Sequence, residues 1–153
     1  MSMKVLVTGG SGYLGYHLLL VAARYFDLFA SYRGSKPNLA AGKPIFLDLT
    51  RLHDVYRDIY RLRPEAIIHA AAVNPGQGDE DLMMTINSEG SRVVARAAAA
   101  VGARLVHIST DVVHDGRHAP YDDDAPPNPI NAYGRSKAAA ELVVMEECPL
   151  AAL

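Results

Sequence analysis

The stretch TGGSGYLG near the start of the chain constrains the fold more than any other feature of the sequence. It joins an apolar run at 4–8, typical of a buried strand, to a segment with leucines at helical spacing. Gly10, Gly12 and Gly15 satisfy the pattern G-x-G-x-x-G, and Gly9 with the last two satisfies the looser G-x-x-G-x-x-G. Between a strand and a helix, such a turn lets a pyrophosphate approach backbone N–H groups. We therefore predict a phosphate-binding turn, with a plain glycine-rich connection as the alternative.

Apolar runs and helical patterns alternate along the rest of the chain. Strands are expected at 4–8, 28–32, 45–47, 66–70 and 104–109, and helices at 12–25, 52–62, 81–101 and 132–147. This alternation predicts an α/β fold, a doubly wound parallel sheet of the NAD(P)-binding Rossmann type with helical crossovers. The last six residues, CPLAAL, begin like a sixth strand. We expect residues 1–153 to form a single domain.

Composition narrows the classes of partner. Half of the residues are apolar, 21% are charged and the formal net charge is -2, which gives no electrostatic basis for binding nucleic acid or an anionic membrane. The single cysteine, Cys148, excludes an internal disulfide and is typical of a reducing compartment. No secretory leader is recognisable, and the apolar runs are too short to cross a bilayer. We expect a cytoplasmic protein without nucleic-acid or membrane partners.

The residues after the second predicted strand indicate which dinucleotide the glycine-rich turn would hold. An NAD site normally places an acidic residue there to bind the ribose 2′-OH, whereas this chain continues with YRGSK, and Asp27 lies at the opposite end of the strand. Charge-assisted hydrogen bonds from Arg33, with Lys36 behind it, suit a 2′-phosphate. NADP(H) is therefore favoured over NAD(H). The alternative is that both cations are only solvated loop residues.

A candidate catalytic pair lies at the start of the last predicted helix. Tyr133 and Lys137 form Y-x-x-x-K, a spacing that places both side chains on one helix face. A nearby cation favours the phenolate and so tunes the tyrosine for proton transfer. The pattern is frequent by chance, but here it follows the fifth strand, whose end reads HISTD. Thr110, at that end, is placed to hydrogen-bond a substrate carbonyl that Tyr133 protonates.

Several longer segments, in their order, resemble the extended short-chain dehydrogenases/reductases, and most of all their dTDP-4-dehydrorhamnose reductase group. They are KVLVTGGSGYLG, FLDLT, RPEAIIHAAAVN, INSEGS, GARLVHISTDVVHDG and PYDDDAPPNPINAYGRSKAAAE. The resemblance implies that Tyr133 is the general acid, that Lys137 holds the nicotinamide ribose and lowers the phenol pKa, and that Thr110 orients the carbonyl. Asn87 would stabilise a helix near the active site or join a proton relay. Cofactor contacts are implied for Gly9, Gly12, Tyr13, Leu14, Gly15, Asp48, Leu49, Ala70, Ala71, Ala72 and Asn87.

The chain departs from this pattern in places. Val112 and His114 stand where the group has aromatic residues, and PGQGDED does not support the metal site of some members. His114 and His118 lie near acidic residues, yet a solvated loop is a better interpretation than a metal site. His69 and His107 fall within predicted strands, and we interpret them as hydrogen-bonded core residues.

Three functions remain open at this point. The first is an enzyme, an NADPH-dependent reductase that acts on a nucleotide-linked 4-keto sugar. The second is a non-catalytic dinucleotide-binding module that resembles the regulatory subunit of methionine adenosyltransferase, and the third is a nucleotide-sugar epimerase or dehydratase. The segment STDVVHDG and the basic end of the second strand favour the reductase. The resemblance places substrate recognition largely C-terminal to residue 153, and a homodimer is one assembly that it allows.

Overall fold

The computed structural model describes residues 2–34 and 39–153, and within them five parallel strands form one sheet in the order β3-β2-β1-β4-β5. The strands are β1 Lys4–Thr8, β2 Asp27–Tyr32, β3 Lys43–Phe46, β4 Ala66–His69 and β5 Arg104–His107. The helices are α1 Tyr13–Ala22, α2 Leu52–Leu62, α3 Glu80–Met83, α4 Gly90–Val101 and α5 Ala132–Glu147, with a π-helical segment at Met84–Glu89 and a 3₁₀ turn at Asp111–Val113. The predicted parallel α/β fold is confirmed.

The core lies on both faces of the sheet, as the near-continuous apolar runs of the strands require. On one face, Leu6 of β1 belongs to a buried cluster that includes Val55 of α2 and Val94 of α4. On the other face, its neighbour Val7 packs in a second cluster with Leu19 of α1. Successive strand residues point to opposite faces, so one short strand supplies both clusters.

The strand order places a crevice above the centre of the sheet. From β1 the chain proceeds to β2 and β3 on one side, and then to β4 and β5 on the other. Ligands of open α/β sheets bind beyond the carboxyl ends of the strands at such a reversal. Here the reversal lies between β1 and β4, where Thr8 and His69, the last residues of these strands, are paired in register.

Several predicted boundaries are shifted. The third strand begins at Lys43 rather than at 45, because it pairs with β2 along the edge of the sheet, where Pro44 is tolerated. The fourth strand ends at His69 rather than at 70, and the fifth at His107 rather than at 109. The predicted sixth strand is reduced to one parallel bridge between Val106 and Ala152.

The predicted helix at 81–101 is divided into α3, the π-helical segment and α4. Apolar periodicity does not show a π-helical segment, because one wider turn leaves the apolar residues on nearly the same face. The first helix is also shorter than predicted, covering Tyr13–Ala22 rather than 12–25. None of the helices in the described ranges combines the length and the apolarity that a bilayer crossing needs.

Candidate active site

A cavity of about 620 Å³ opens at the carboxyl edge of the sheet, where strand order reverses. This volume is typical of small-molecule sites. Its wall includes most residues for which the sequence predicts a role: Gly9, Gly12, Tyr13, Leu14, Gly15, Arg33, Leu49, Ala70, Ala71, Ala72, Tyr133 and Lys137. Three other predicted residues, Thr110, Asp48 and Asn87, do not line it. Sequence reasoning assigned no role to other lining residues, among them Ser31, Asn74, Gln77 and Ser109.

Two glycines of the turn, Gly9 and Gly15, have no room for a side chain. Gly9 has a φ of +69°, and a Cβ there would lie 2.9 Å from the backbone of Ala71. A Cβ on Gly15 would collide with the carbonyl oxygen of Gly9. These close approaches bring the start of α1 against the ends of β1 and β4. The turn thus needs glycine for packing, as the predicted pattern implies.

The N-terminus of α1 is suited to an anion. Gly12 is its N-cap residue and has no side chain with which to cap the N–H groups of the first turn, which also contains no acidic residue. Gly12, Tyr13 and Leu14 all line the cavity. Uncapped N–H groups and the helix dipole together favour a phosphate at this position.

Small residues form the cavity wall after β4. Ala70, Ala71 and Ala72 line it in succession, so the backbone itself is accessible to a ligand. The N–H of Ala71 donates to Oγ1 of Thr8 at 3.2 Å, which ties this segment to the end of β1. The predicted close approach at these alanines therefore agrees with the geometry.

Arg33 follows β2 and lies exposed at the cavity wall. The second predicted cation of this loop, Lys36, lies outside the described residues. The carboxylate of Asp48 accepts two hydrogen bonds from Thr50, one from its backbone N–H at 3.0 Å and one from its hydroxyl at 2.8 Å. Burial pushes the pKa of Asp48 upward, but these bonds and the charges of Arg33 and Arg51 hold it below its ordinary value. Asp48 is thus committed to the turn before α2.

Tyr133 and Lys137 both line the cavity from the first turns of α5. Asn131 begins this helix, since its Oδ1 accepts from the N–H of Gly134 at 2.7 Å. Tyr133 is half-buried, and burial raises the pKa of its phenol. The sequence instead predicted a phenol pKa lowered by Lys137. Burial alone causes the upward shift of the Tyr133 pKa.

Lys137 is 3% exposed, and its Nζ donates to the carbonyl oxygen of Ile108 at 2.6 Å. The same Nζ lies 3.1 Å from Nε2 of His107. Burial lowers the pKa of Lys137 to about 8, although the carboxylate of Glu141 acts in the opposite direction. The amine is therefore held against the end of β5, on the floor of the cavity.

Thr110 does not reach the cavity, whereas its neighbour Ser109 does. The hydroxyl of Thr110 caps the 3₁₀ turn, accepting from the N–H of Val112 at 3.4 Å, and donates to Asp111 at 3.2 Å. The Ser109 hydroxyl donates to Glu141 of α5. The adjacent S-T pair was the only sequence signal here, and it did not indicate which of the two residues lines the cavity.

Asn87 supports the cavity wall from behind. Its Oδ1 accepts from the N–H of Val73 at 2.7 Å, and its Nδ2 donates to the carbonyl of Val73 and to Oγ of Ser136, both at 3.0 Å. Ser136 in turn donates to the carbonyl of Tyr133 at 2.8 Å. Asn87 is 1% exposed and joins the segment after β4 to α5. This geometry agrees with the first of its two predicted roles, stabilising a helix near the site.

The loop after the 3₁₀ turn is more ordered than the solvated loop that the sequence predicted. The His114 ring stacks on Tyr121 with centroids 4.2 Å apart. The Asp115 side chain is 6% exposed and accepts hydrogen bonds from Tyr121, the N–H of Arg117 and His118. These bonds hold the Asp115 pKa well below its usual range. In the described part of the chain, no group of three or more His, Cys, Asp or Glu residues is placed to hold a metal ion.

Comparison with known proteins shows relatives along nearly the whole chain. Residues 3–153 match the family model described as the RmlD substrate binding domain. The dTDP-4-dehydrorhamnose reductase of Burkholderia thailandensis is 36% identical over 148 residues, 94% of this chain and 46% of that protein. The methionine adenosyltransferase 2 subunit beta of Bos taurus is 32% identical over 148 residues, 94% of this chain and 43% of that protein. The chain thus spans about half the length of the curated relatives that it matches.

Solved structures show the same relationship. The dTDP-4-dehydrorhamnose reductase of Bacillus anthracis, in complex with NADP, is 36% identical with a TM-score of 0.81, covering 99% of this chain and 52% of that chain. The Bordetella bronchiseptica enzyme WbmG, in complex with NAD, is 27% identical with a TM-score of 0.84, covering 95% of this chain and 50% of that chain. These matches confirm the resemblance predicted from the sequence, and the chain belongs to the RmlD substrate-binding domain family.

Proposed function

We propose that residues 1–153 form the dinucleotide-binding part of an NADPH-dependent reductase that acts on a nucleotide-linked 4-keto sugar. The observation that carries this proposal is the single cavity in which the uncapped N-terminus of α1, the alanines after β4, Tyr133 and Lys137 meet. Relatives named as dTDP-4-dehydrorhamnose reductase support the reaction class.

The cavity fits a nicotinamide dinucleotide. The N–H groups at the start of α1 would hold the pyrophosphate, and Gly9 and Gly15 leave the space that it needs. Among neighbouring structures, that of Bordetella bronchiseptica WbmG contains NAD and that of the Bacillus anthracis reductase contains NADP, which supports the cofactor class. Arg33 at the end of β2 supports NADP(H), because a guanidinium binds a phosphate through paired hydrogen bonds.

The residues of α5 supply the proton chemistry. A bound, reduced nicotinamide supplies the hydride that reduces the carbonyl carbon. Tyr133 donates the proton that the carbonyl oxygen takes up, and its raised pKa keeps the phenol protonated until then. The ammonium of Lys137 is held at the end of β5, and we infer that its positive charge stabilises the phenolate once the proton has left. Thr110 stays the residue predicted to orient the carbonyl; the neighbouring Ser109 lines the cavity, but its hydroxyl donates to Glu141.

Other parts of the proposal concern the protein beyond this cavity. Because the chain spans about half the length of its relatives, we place sugar recognition largely outside residues 1–153. The cytoplasmic location and the homodimer stay predictions. Sedimentation of the purified protein would test the second.

A specific relative favours one other function. The match to methionine adenosyltransferase 2 subunit beta supports a dinucleotide-binding module that serves a partner enzyme. Both functions need the dinucleotide cavity, so only turnover separates them. A reductase consumes NADPH with a 4-keto sugar, whereas an epimerase has no net consumption and a binding module has no turnover.

The first experiment is a titration of the 153-residue chain with NADPH and with NADH, followed by nicotinamide fluorescence. We expect tighter binding of NADPH and, for Arg33→Glu, a loss of roughly tenfold or more that is confined to NADPH. Arg24→Glu makes the same charge change just beyond the far end of α1 and should leave both affinities unchanged. Binding of neither nucleotide would contradict the proposal.

The second experiment measures NADPH consumption by the natural polypeptide that carries residues 1–153, with dTDP-4-dehydrorhamnose as the substrate. Tyr133→Phe should retain NADPH binding and lose most of the turnover, because only the proton donor is removed. A wild-type protein that binds NADPH without consuming it would favour the binding module.

A further inference from the structure

Two buried histidines lie side by side beneath the cavity. His69 and His107 are paired in register on β4 and β5, each is 1% exposed, and their ring centroids are 5.3 Å apart. The sequence predicted both as hydrogen-bonded core residues. Their surroundings differ, however, and the difference indicates a role for only one of them.

The bonds of His69 are complete. Its Nδ1 lies 2.6 Å from Oγ1 of Thr8, a hydroxyl that also accepts from the N–H of Ala71. Its Nε2 lies 3.0 Å from Oγ of Ser91, whose own hydrogen goes to the carbonyl of Asn87. These partners require the Nε2–H tautomer of His69. His69 is a structural residue with both ring nitrogens satisfied.

His107 has a different partner. Its Nε2 lies 3.1 Å from Nζ of Lys137, and its Nδ1 is buried without a hydrogen-bond partner among the described residues. A lysine ammonium has three hydrogens and no acceptor, so Nε2 of His107 must accept and the ring hydrogen must be on Nδ1. Burial and the charge of Lys137 lower the pKa of His107 to about 3, which keeps the ring neutral. The two neighbouring histidines thus carry opposite tautomers.

The hydrogen bonds of Lys137 indicate what His107 does. One N–H is directed to the carbonyl of Ile108 at 2.6 Å and a second to Nε2 of His107. A buried ammonium is costly unless its hydrogens are bonded, and a lysine side chain is flexible unless it is held. These two fixed acceptors, one at the end of β5 and one just after it, leave one N–H of Lys137, and Lys137 lines the cavity.

We propose that His107 is a positioning residue, which accepts a hydrogen bond from Lys137 as the Nδ1–H tautomer and so leaves one ammonium N–H for the cavity. His107 itself acts only through Lys137. The use of that N–H by a bound ligand rests on the proposed function. The tautomer and the state of Lys137 do not, so they can be tested separately.

The first test is the tautomer in the wild-type chain labelled with ¹⁵N-histidine. Long-range ¹H–¹⁵N correlation at neutral pH should show a protonated Nδ1 and a bare Nε2 for the ring whose signals disappear in His107→Gln. The second buried ring, His69, should show the opposite pattern and serves as the internal control. A protonated Nε2 on His107, or a charged ring at neutral pH, would overturn the proposal.

The second test is the pH dependence of Lys137 acylation in the folded chain, read by mass spectrometry. His107→Leu removes the acceptor, so the Lys137 ammonium loses stabilisation. The pH at which half of the maximal acylation rate is reached, the Lys137 midpoint, should therefore fall by about one pH unit. His107→Gln offers Oε1 as a replacement acceptor and should restore most of the midpoint. Among the described residues, the other titratable groups around Lys137 are His69 of β4 and Tyr133 and Glu141 of α5, and none of the variants changes them.

Controls separate this proposal from a general loss of structure and from failure of the proposed function. His53→Leu changes an exposed histidine of α2 and should leave the Lys137 midpoint in place. We expect His107→Leu to weaken NADPH binding by roughly tenfold, with recovery in His107→Gln. If the wild-type chain does not bind NADPH, the proposed function fails, while the tautomer and the midpoint still test His107. A midpoint that is the same in the wild type and His107→Leu would refute its positioning role.

Discussion

Asn87 offers the most direct test of how the cavity wall is held. Its side chain makes three hydrogen bonds, two to the backbone of Val73 and one to Ser136. Among the described residues, no other side chain forms a hydrogen bond that joins Val73 to α5. At about 1 kcal/mol for each bond, we expect Asn87→Ala to lower the free energy of unfolding by about 3 kcal/mol. Part of this loss comes from leaving the groups of Val73 buried without partners.

The measurement is urea unfolding of both proteins, with a common slope against denaturant required before the free energies are compared. Asn74→Ala serves as the matched control, because the side chain of Asn74 is exposed and is expected to contribute less than about 0.5 kcal/mol. Asn87→Asp is a sharper variant. It keeps an acceptor for the N–H of Val73 but turns the donor into a second acceptor facing the Val73 carbonyl. A loss below about 1 kcal/mol in Asn87→Ala would refute the reasoning, since three satisfied buried bonds cannot then be present.

Two further predictions concern the turn and the buried histidines. Gly15→Ala should weaken NADPH binding at least tenfold in a fluorescence titration, because a Cβ there would collide with Gly9 and lie 2.8 Å from Cα of Gly10. Gly12→Ala should weaken binding less, because its Cβ would lie 3.2 Å from the Gly9 oxygen. Equal affinities in the two variants would contradict this steric account. The unfolded chain takes up a proton on His107 near pH 6.5, whereas the folded chain does so only near pH 3, so the free energy of unfolding should fall as the pH falls through this window. Urea unfolding at several pH values should show a shallower decrease in His107→Leu, and an unchanged decrease would contradict the buried neutral ring.

Local patterns in the sequence were sufficient for most of the fold and for much of the cavity wall. The strands, the glycine-rich turn and the Y-x-x-x-K pair are short-range patterns, and parallel strands bring their carboxyl ends to one edge without further information. Gly9, Ala71 and Tyr133 line one cavity although they are far apart in the chain, and their roles in it stay predictions.

Other features of the site depend on details without a local pattern. After a strand ends, the alternation of side chains no longer indicates which residue of an S-T pair lines a cavity, so the sequence did not predict that Ser109 lines it and Thr110 does not. The spacing of apolar residues did not predict the π-helical segment around Asn87. Asn87 nevertheless connects α5 to the residues after β4. The partner of Lys137 depends on where α5 packs against β5, which the sequence alone does not specify.

The register of the strands explains why these polar residues meet where they do. On one face of the sheet, Leu6 of β1 is paired with Ile67 of β4, and Ile67 with Leu105 of β5, which forms an apolar layer. Two residues later on the same face, the last residues of the three strands, Thr8, His69 and His107, form a second layer that is entirely polar.

This polar layer lies between the apolar core and the cavity. Each of its members bonds to a residue on a different element, so the ends of the strands are fixed by directional bonds: Thr8 to the segment after β4, His69 to Ser91 of α4, and His107 to Lys137 of α5. Apolar packing alone is non-directional and would tolerate small rotations of these elements. The proposed function requires Tyr133 and Lys137 to keep a fixed distance from a bound dinucleotide, and directional contacts at the ends of the strands are suited to that requirement.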